Sequence, residues 1–494
     1  MTEKEGRHRQ RGPFPNRTKL ICTIGPASES LETLKAMVMA GMNVARLNFS
    51  HGEFDYHAEL IDRIRAASRE TGRDVAIMAD LPGPKMRIGI FEKEPVILEK
   101  GAEFILTARD VVGSERMVSI TMKELPAAVK KGDTLFLNDG LIQLRVEEVS
   151  GPDIRCIVVV GGELRSRKGL NIPGIDLGQS AFTERDHECM KFALEHGVDA
   201  VSQSFVGSPD DIRHLRQAAR RLGFDPFVIA KIERSSIVDV IDEIISASDG
   251  IMVARGDLGV EIPIERIALA QKFLTRKGNV QARPVITATQ MLQSMTHSRR
   301  PTRAEATDVA NAILDGTDGV MLSEESAMGE YPVEAVEMLA KIAAATEPYL
   351  ERAHFRRLME EHASVHVGKE GPGSGQEVDL IALAVDNIAG RMDTAAVFCP
   401  TDSGATARRI TRFRLPCWII APSVSEKTCR ELLFSFGVFP VLLKGAKPTR
   451  WRNFIKRSIK ELGLEGDAAI VTEGPSMAHP GMEHRLEIVE LKRV

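Results

Sequence analysis

The order of apolar runs along this 494-residue chain predicts an α/β fold: a (β/α)8 barrel of the TIM type, interrupted by a small all-β domain and followed by an open α/β domain. Three observations carry that prediction. Short β-branched runs alternate with longer helical patterns from Lys19 onward, as parallel strands joined by crossover helices do. Eight such units precede residue 330, the number that closes a barrel. Length argues for about three domains, at roughly 100 to 200 residues each.

The expected barrel strands are Lys19–Gly25, Asn43–Asn48, Val75–Asp80, Asp199–Ser204, Phe227–Ile232, Asp249–Ala254, Pro284–Ala288 and Asp318–Ser323. About 120 residues separate the third from the fourth, where a few tens suffice, so something is inserted. Residues 88–168 alternate strand-like runs (Glu103–Thr107, Thr134–Asn138, Ile154–Val159) with Gly turns, which reads as a small β-barrel lid on the mouth. The barrel then takes residues 18–87 and 169–350, after an N-terminal arm of residues 1–17. A polar, Gly-rich stretch at Gly368 to Gly375 reads as a linker. Strands at Ala395–Cys399, Cys417–Ala421, Val438–Leu443 and Ala468–Thr472 follow it, so residues 351–494 read as a C-terminal α/β domain.

Composition excludes several classes. Apolar residues at 43% and charged residues at 27% are those of an ordinary globular protein rather than a disordered chain. The formal charge of -4 lacks the basic excess of a duplex-binding surface, so nucleic acid is not an expected partner. Cys22, Cys156, Cys189, Cys399, Cys417 and Cys429 contain no CxxC pair and read as reduced core thiols. No apolar run reaches the roughly 18 residues of a membrane span, and Glu3 and Glu5 mix with Arg7, Arg9 and Arg11 at the N-terminus. A cytoplasmic protein with no membrane partner is expected.

Chemistry is expected where the strands end. Neither a GxxxxGK[ST] loop nor a strand-GxGxxG-helix fingerprint occurs, so a nucleotide must bind by other means. Strand two ends in Arg46-Leu-Asn48-Phe-Ser50-His51, and the period of two turns Arg46, Asn48 and Ser50 to one side and Leu47 and Phe49 to the helices. A guanidinium beside small polar oxygens suits phosphate; a salt-bridged barrel arginine is the alternative. Strands five and six end in Lys231-Ile-Glu233 and Arg255-Gly256-Asp257. Neighbouring strands lie about 4.8 Å apart, so the carboxylates of Glu233 and Asp257 can share a cation such as Mg²⁺ or Mn²⁺. A purely structural Lys-Glu-Arg-Asp network is the alternative. Strand seven adds Thr289, strand eight adds Ser323 to Ser326, and Thr302-x-x-Glu305 is a capping box read as mostly structural.

These motifs resemble those of the pyruvate kinase family over essentially the whole chain. The matching runs include Arg17 to Ser28, Gly41 to Gly52, Ser248 to Pro263, Ala288 to Met295 and Pro301 to Glu305. The resemblance implies phosphoryl transfer from phosphoenolpyruvate to ADP, a barrel with an inserted lid and a C-terminal regulatory domain, and a homotetramer. It also implies roles. Arg46 and Lys231 would hold the transferring phosphoryl group, Glu233 and Asp257 the metal, and Gly256, Asp257 and Thr289 the substrate carboxylate region. Asn48, Ser50, His51, Arg87 and Lys168 would line the nucleotide and phosphate side. Thr289 and the Ser323/Glu325 end of strand eight would relay a proton to the enolate.

Departures from the family pattern carry their own expectations. Ser323-Glu-Glu-Ser-Ala327 replaces the usual Ser-Gly-Glu-Thr-Ala. Potassium-dependent members hold a monovalent cation through the equivalents of Asn48, Ser50, Asp80 and a Thr, with a Glu nearby. Here the last two are Leu81 and Lys85, and Ile88 replaces a hydroxyl residue. A fixed ammonium at Lys85 would repel a cation within a few Å, so K⁺ is expected to be dispensable. If Lys85 merely points into solvent, Asp80 stays free to bind the ion. Thr401, Ser403, Gly404 and Thr406 resemble the family's effector phosphate loop, with Asp402 inserted, and Glu483-His484 stands where a Thr-Asn is frequent, which suggests a sugar monophosphate. Two other classes compete: a metal-dependent aldolase or lyase acting on a pyruvate enolate, and a non-catalytic sugar-phosphate sensor.

Overall fold

The computed structural model describes residues 12–175, 180–366, 376–445, 451–474 and 484–491. The Gly368 to Gly375 linker, Glu483 and the first eleven residues of the arm lie outside them. Eight parallel strands form a closed barrel: β1 (Lys19–Thr23), β2 (Met42–Asn48), β3 (Ala76–Leu81), β4 (Ala200–Gln203), β5 (Phe227–Ile232), β6 (Gly250–Ala254), β7 (Val285–Ala288) and β8 (Gly319–Leu322). The hydrogen-bonded order is β1-β8-β7-β6-β5-β4-β3-β2. Each expected strand is present, with ends moved by a residue or two as hydrogen bonding, not composition, sets them. Alternation sorts the side chains. Ile21, Val44, Met78, Ile229, Met252, Ile286 and Met321 fill the interior, while Leu20, Cys22, Leu47, Ile77, Val228 and Val253 pack outward against the helices.

One expectation is corrected at strand six. Arg255, Gly256 and Asp257 do not continue β6; they are the first turn of helix Arg255–Glu261. The period-two rule stops applying at Ala254, so Arg255 and Asp257 project in unrelated directions.

Residues between β3 and β4 build a six-stranded sheet in the order Leu170–Asn171, Thr134–Leu137, Ile142–Ser150, Asp153–Val160, Glu103–Thr107 and Met117–Ser119. Val96–Leu98 and Gly162–Leu164 form a separate antiparallel pair. Among the described residues this sheet stays open, around a core that includes Phe104, Leu135, Leu144 and Cys156. Asn138, expected in strand, has φ 52° and begins the turn instead. The chain leaves the barrel and returns to it side by side: Arg87 and Gly169 form an antiparallel bridge, and the Ile88 N–H donates to the Lys168 carbonyl at 3.0 Å.

A second sheet contains β9 (Thr394–Phe398), β10 (Trp418–Ser423), β11 (Val438–Leu442), β12 (Ala468–Glu473) and β13 (Arg485–Glu490) in the order β11-β10-β9-β12-β13. The four expected strands are parallel, and the unforeseen β13 adds an antiparallel edge. This unit closes the bottom of the barrel, at the N-terminal ends of the strands. Phe434 stacks on Phe227 at 5.2 Å between ring centres, and buried Arg414 pairs with Asp318 at 2.9 Å. Lys19 Nζ donates to the Val438 carbonyl at 2.6 Å. The top of the barrel is left for the lid. All six cysteines are free and buried, and among the described residues no helix is long and apolar enough to cross a membrane.

Candidate active site

At the C-terminal ends of β2, β3, β4 and β5 the side chains form one ionic cluster. Asp80, at the end of β3, is 2% exposed and accepts from four groups. Arg46 approaches Oδ2 through Nε at 2.9 Å and also through Nη2, Ser202 Oγ donates to Oδ1 at 2.7 Å, and Lys231 Nζ lies 3.3 Å from Oδ1. Burial alone would raise the pKa of this carboxyl, but the Lys231 and Arg46 charges and the Ser202 bond outweigh it and hold it at about 2. Lys231 also donates to Ser204 Oγ at 2.7 Å, and the Ser204 hydroxyl in turn donates to the Leu81 carbonyl at 2.7 Å. Burial works against the Lys231 ammonium, yet Asp80 and Glu233 raise its pKa above the ordinary lysine range.

Glu233 follows β5 and is 1% exposed. Its Oε2 accepts the Phe205 N–H at 2.6 Å. Its Oε1 faces the Lys231 ammonium at 2.9 Å, the ion-pair partner of that oxygen. Burial, reinforced by the Asp257 charge, raises the pKa of Glu233, and Lys231 opposes that rise. A divalent cation would do the same work better. Among the described residues no three His, Cys, Asp or Glu gather around one metal point, so Glu233 and Asp257 would need substrate oxygens and water to complete a shell. That is the usual situation of Mg²⁺ in phosphoryl-transfer sites. The donor set fits the ion.

Thr289 lies just past β7 with a left-handed backbone, φ 69°. Its hydroxyl accepts the Gly256 N–H at 2.8 Å and donates to the Ala288 carbonyl at 2.6 Å, which ties the β6 and β7 ends together. Glu325 is fully buried and both oxygens are engaged by backbone: Oε2 by Ser323 N–H at 2.7 Å and Oε1 by Leu292 N–H at 3.0 Å. It holds the β7 and β8 loops rather than facing the mouth. Thr302 and Glu305 form the expected reciprocal cap, and Glu305 also accepts from the Ser294 N–H at 2.6 Å.

The other expected residues lie on the β2 side and at the lid connections. Asn48 is paired in register with Asp80, and its Oδ1 accepts the Ser50 N–H at 3.2 Å. His51 is exposed; partial burial and then the charges of Arg87, Lys85 and Arg46 lower its pKa, which marks a cationic field there. Arg87 donates to the Arg167 carbonyl at 3.0 Å, beside Lys168 just ahead of the returning strand Leu170–Asn171. Leu81 is buried in the outer core, and Lys85 lines the cleft between lid and barrel together with Met86, Phe205, Glu233 and Arg234. Lys85 is therefore exposed, but to the cleft. In the C-terminal unit, Thr401 Oγ1 accepts the Gly404 N–H at 2.8 Å and Ser403 Oγ the Ala405 N–H at 3.4 Å, ahead of the short helix Ala405–Thr411. Thr406 lies in its first turn.

Three contributors escaped sequence reasoning, and a fourth residue was misplaced by it. Ser202 and Ser204 sit at i and i+2 at the end of strand four, the same polar alternation that marked strand two, so the signal was present. Phe205 has φ 58°, and that left-handed backbone aims its N–H at Glu233. Nothing in the residue type announces it. Arg255 was grouped with the ligand-binding charges but turns away from them, to the carbonyls of Ala288 and Thr289.

Comparison with known proteins agrees with this geometry at both ends of the chain. Residues 15–336 match the family model for the pyruvate kinase barrel domain, and residues 379–489 that for the pyruvate kinase alpha/beta domain. A pyruvate kinase of Thermococcus litoralis is 49% identical over 465 residues, covering 93% of this chain and 95% of the relative. Those of Bacillus licheniformis and Thermotoga maritima are 40% and 38% identical, covering 93% and 92% of this chain and 78% and 96% of the relatives. A barrel mouth that joins Arg46, Asp80, Lys231 and Glu233 in one ionic cluster, on a chain matched along nearly its whole length, leaves one conclusion: this protein belongs to the pyruvate kinase family.

Proposed function

We propose that this chain transfers the phosphoryl group of phosphoenolpyruvate to ADP, giving pyruvate and ATP, as a phosphotransferase of glycolysis. The observation that carries the reading is the buried Lys231 ammonium, held 2.9 Å from Glu233 and 3.3 Å from Asp80 at the mouth. Phosphoryl transfer demands positioning and neutralisation of spread negative charge more than covalent chemistry. Arg46 and Lys231 supply fixed positive charge from two sides, and Asp80 keeps both in place without reorganisation. Glu233 and Asp257 would hold Mg²⁺ or Mn²⁺, which when bound polarises and neutralises substrate oxygens. Gly256 and Thr289 face the substrate carboxylate region.

On the far side, Asn48, His51, Arg87 and Lys168 receive the nucleotide, and the position of Arg87 and Lys168 on the paired connections couples that step to lid movement. After transfer the enolate takes a proton on carbon. Thr289 supplies the hydroxyl nearest to the substrate side, while Glu325, with both oxygens bound to backbone, acts with Ser323 by holding the loops. Asp80 has both oxygens taken by Arg46, Ser202 and Lys231, which supports a site that works without K⁺, with Lys85 in the cleft supplying charge. The Thr401, Ser403, Gly404, Thr406 loop is read as the seat of a phosphorylated effector, a sugar monophosphate, reached through its hydroxyls. The assembly is read as a homotetramer in the cytoplasm. A lactate-dehydrogenase-coupled assay with phosphoenolpyruvate, ADP and Mg²⁺ tests the main reading: absence of pyruvate formation refutes it, as both the lyase and the sensor alternatives require.

A further inference from the structure

Thr289 and Gln290 both have left-handed backbones, with φ of 69° and 52°. Neither is glycine and threonine is β-branched, so this conformation persists only where the surroundings over-determine it. One side chain supplies most of that constraint. Arg255 Nη2 donates to the Thr289 carbonyl at 2.7 Å and lies 2.9 Å from Met291 Sδ, and Nε donates to the Ala288 carbonyl at 3.3 Å. Its Nη1 is held by Asp308 at 2.7 Å and by Gln271 at 3.3 Å. Asp308 belongs to helix Arg303–Leu314 and Gln271 to helix Ile267–Val280, so the anchor lies in the outer helical layer. From the other side Glu325 takes the Leu292 N–H at 3.0 Å. The planar guanidinium fork reaches two consecutive carbonyls and a carboxylate together, which a point-charge ammonium cannot. The groups named here belong to the end of β7, to the loop that carries Thr289 or to the helices behind it.

We propose that Arg255, anchored by Asp308, is a positioning residue for the reaction: it locks Ala288–Thr289 so that the Thr289 hydroxyl stays fixed against Gly256, where the enolate is protonated. This rests on the phosphotransferase reading above. Its consequence is a split in kinetics, because a displaced hydroxyl slows the proton step without removing the groups that bind phosphate. The tests are Arg255→Met, Arg255→Lys and Asp308→Asn in the full chain with Mg²⁺. Two quantities are read: kcat and KM in the coupled assay, and loss of pyruvate methyl protons to D₂O, followed by NMR with inorganic phosphate present. In that exchange a methyl proton leaves to solvent and a deuteron returns to the same carbon.

Arg255→Met is expected to lower kcat and methyl exchange together by about 10²-fold, the effect of a displacement of about 1 Å, with KM for phosphoenolpyruvate changed less than about threefold. Arg255→Lys and Asp308→Asn are expected to fall between it and the parent, in both readouts by the same factor. A kcat within about twofold of the parent, a loss confined to KM, or a fall in kcat with unchanged exchange overturns the proposal. Should Arg255→Met fail to fold, the other two variants decide by the same criteria. A parent chain without transfer activity overturns the phosphotransferase reading and this proposal with it; an active parent with unaffected variants overturns this proposal alone.

Discussion

Replacing Lys231 with methionine isolates the charge on which the proposed chemistry turns. Its Nζ lies 2.9 Å from Glu233, 3.3 Å from Asp80 and 2.7 Å from Ser204. The variant leaves Asp80 its Arg46 and Ser202 partners, so that carboxylate remains satisfied. Glu233 keeps the Phe205 N–H alone, and loss of the Lys231 charge that opposes burial and Asp257 raises its pKa further. The folding cost is then about 3 kcal/mol, the lower end for a broken buried ion pair. That leaves a folded protein at 25 °C if stability is ordinary, about 5–15 kcal/mol. The catalytic loss is larger relative to its target, because a preorganised donor aimed at developing charge contributes about 10² to 10³ in rate. Coupled turnover with phosphoenolpyruvate, ADP and Mg²⁺, with circular dichroism to establish folding and Mn²⁺ titration to establish metal binding, measures this. A folded, metal-binding variant within about fivefold of parental turnover would refute the electrostatic argument.

Three further outcomes are expected. Activity at constant ionic strength in buffer free of K⁺ and Na⁺, with a tetraalkylammonium salt as control, should change less than about tenfold on adding K⁺, since Asp80 has its oxygens filled and Lys85 faces the cleft; larger activation would show that Lys85 does not replace the ion. Lys19, whose pKa burial lowers to about 7 against the raising effects of Glu347 and Asp318, binds its proton less tightly folded than unfolded. Stability therefore rises with pH between about 7 and 10.5, and the stability of Lys19→Met relative to the parent should fall by about 2–3 kcal/mol from pH 7 to pH 9 in urea melts; a flat difference would contradict the burial. Finally, titrating sugar monophosphates should lower the half-saturation for phosphoenolpyruvate, and Thr401→Val should weaken that response; no shift with any of them would remove the effector reading of the Thr401 to Thr406 loop.

Much of the architecture was legible because burial imposes a period. The eight barrel strands, the insertion between the third and fourth and the four parallel strands of the C-terminal sheet follow from alternation and from spacing, and hydrogen bonding shifted their ends only slightly. The polar residues at those strand ends were equally visible, since Arg46, Lys231 and Glu233 interrupt sequence that would otherwise continue as core. Beyond the last strand residue the alternation carries no information, because loop dihedrals decide direction. Arg255 illustrates it: within two residues of Asp257 it points to the Thr289 carbonyl instead, once the chain turns from β6 into helix.

Residue types and their order thus determined the strands, the insertion, the reduced thiols and the set of charges at the barrel mouth, since each depends on local period and composition. The tertiary structure alone decided which charges meet. Lys231 lies 151 residues from Asp80, and Arg414 lies 96 from Asp318, so no local pattern records either pair. It also decided that Phe205 and Thr289 adopt left-handed backbones, against their own preference, and that Glu233 faces the Lys231 ammonium with one oxygen and the Phe205 N–H with the other. The physical reason is common to all of these: inside a low-dielectric mouth the position of a charge is set by the partners that surround it, and those partners are brought together by closure of the barrel.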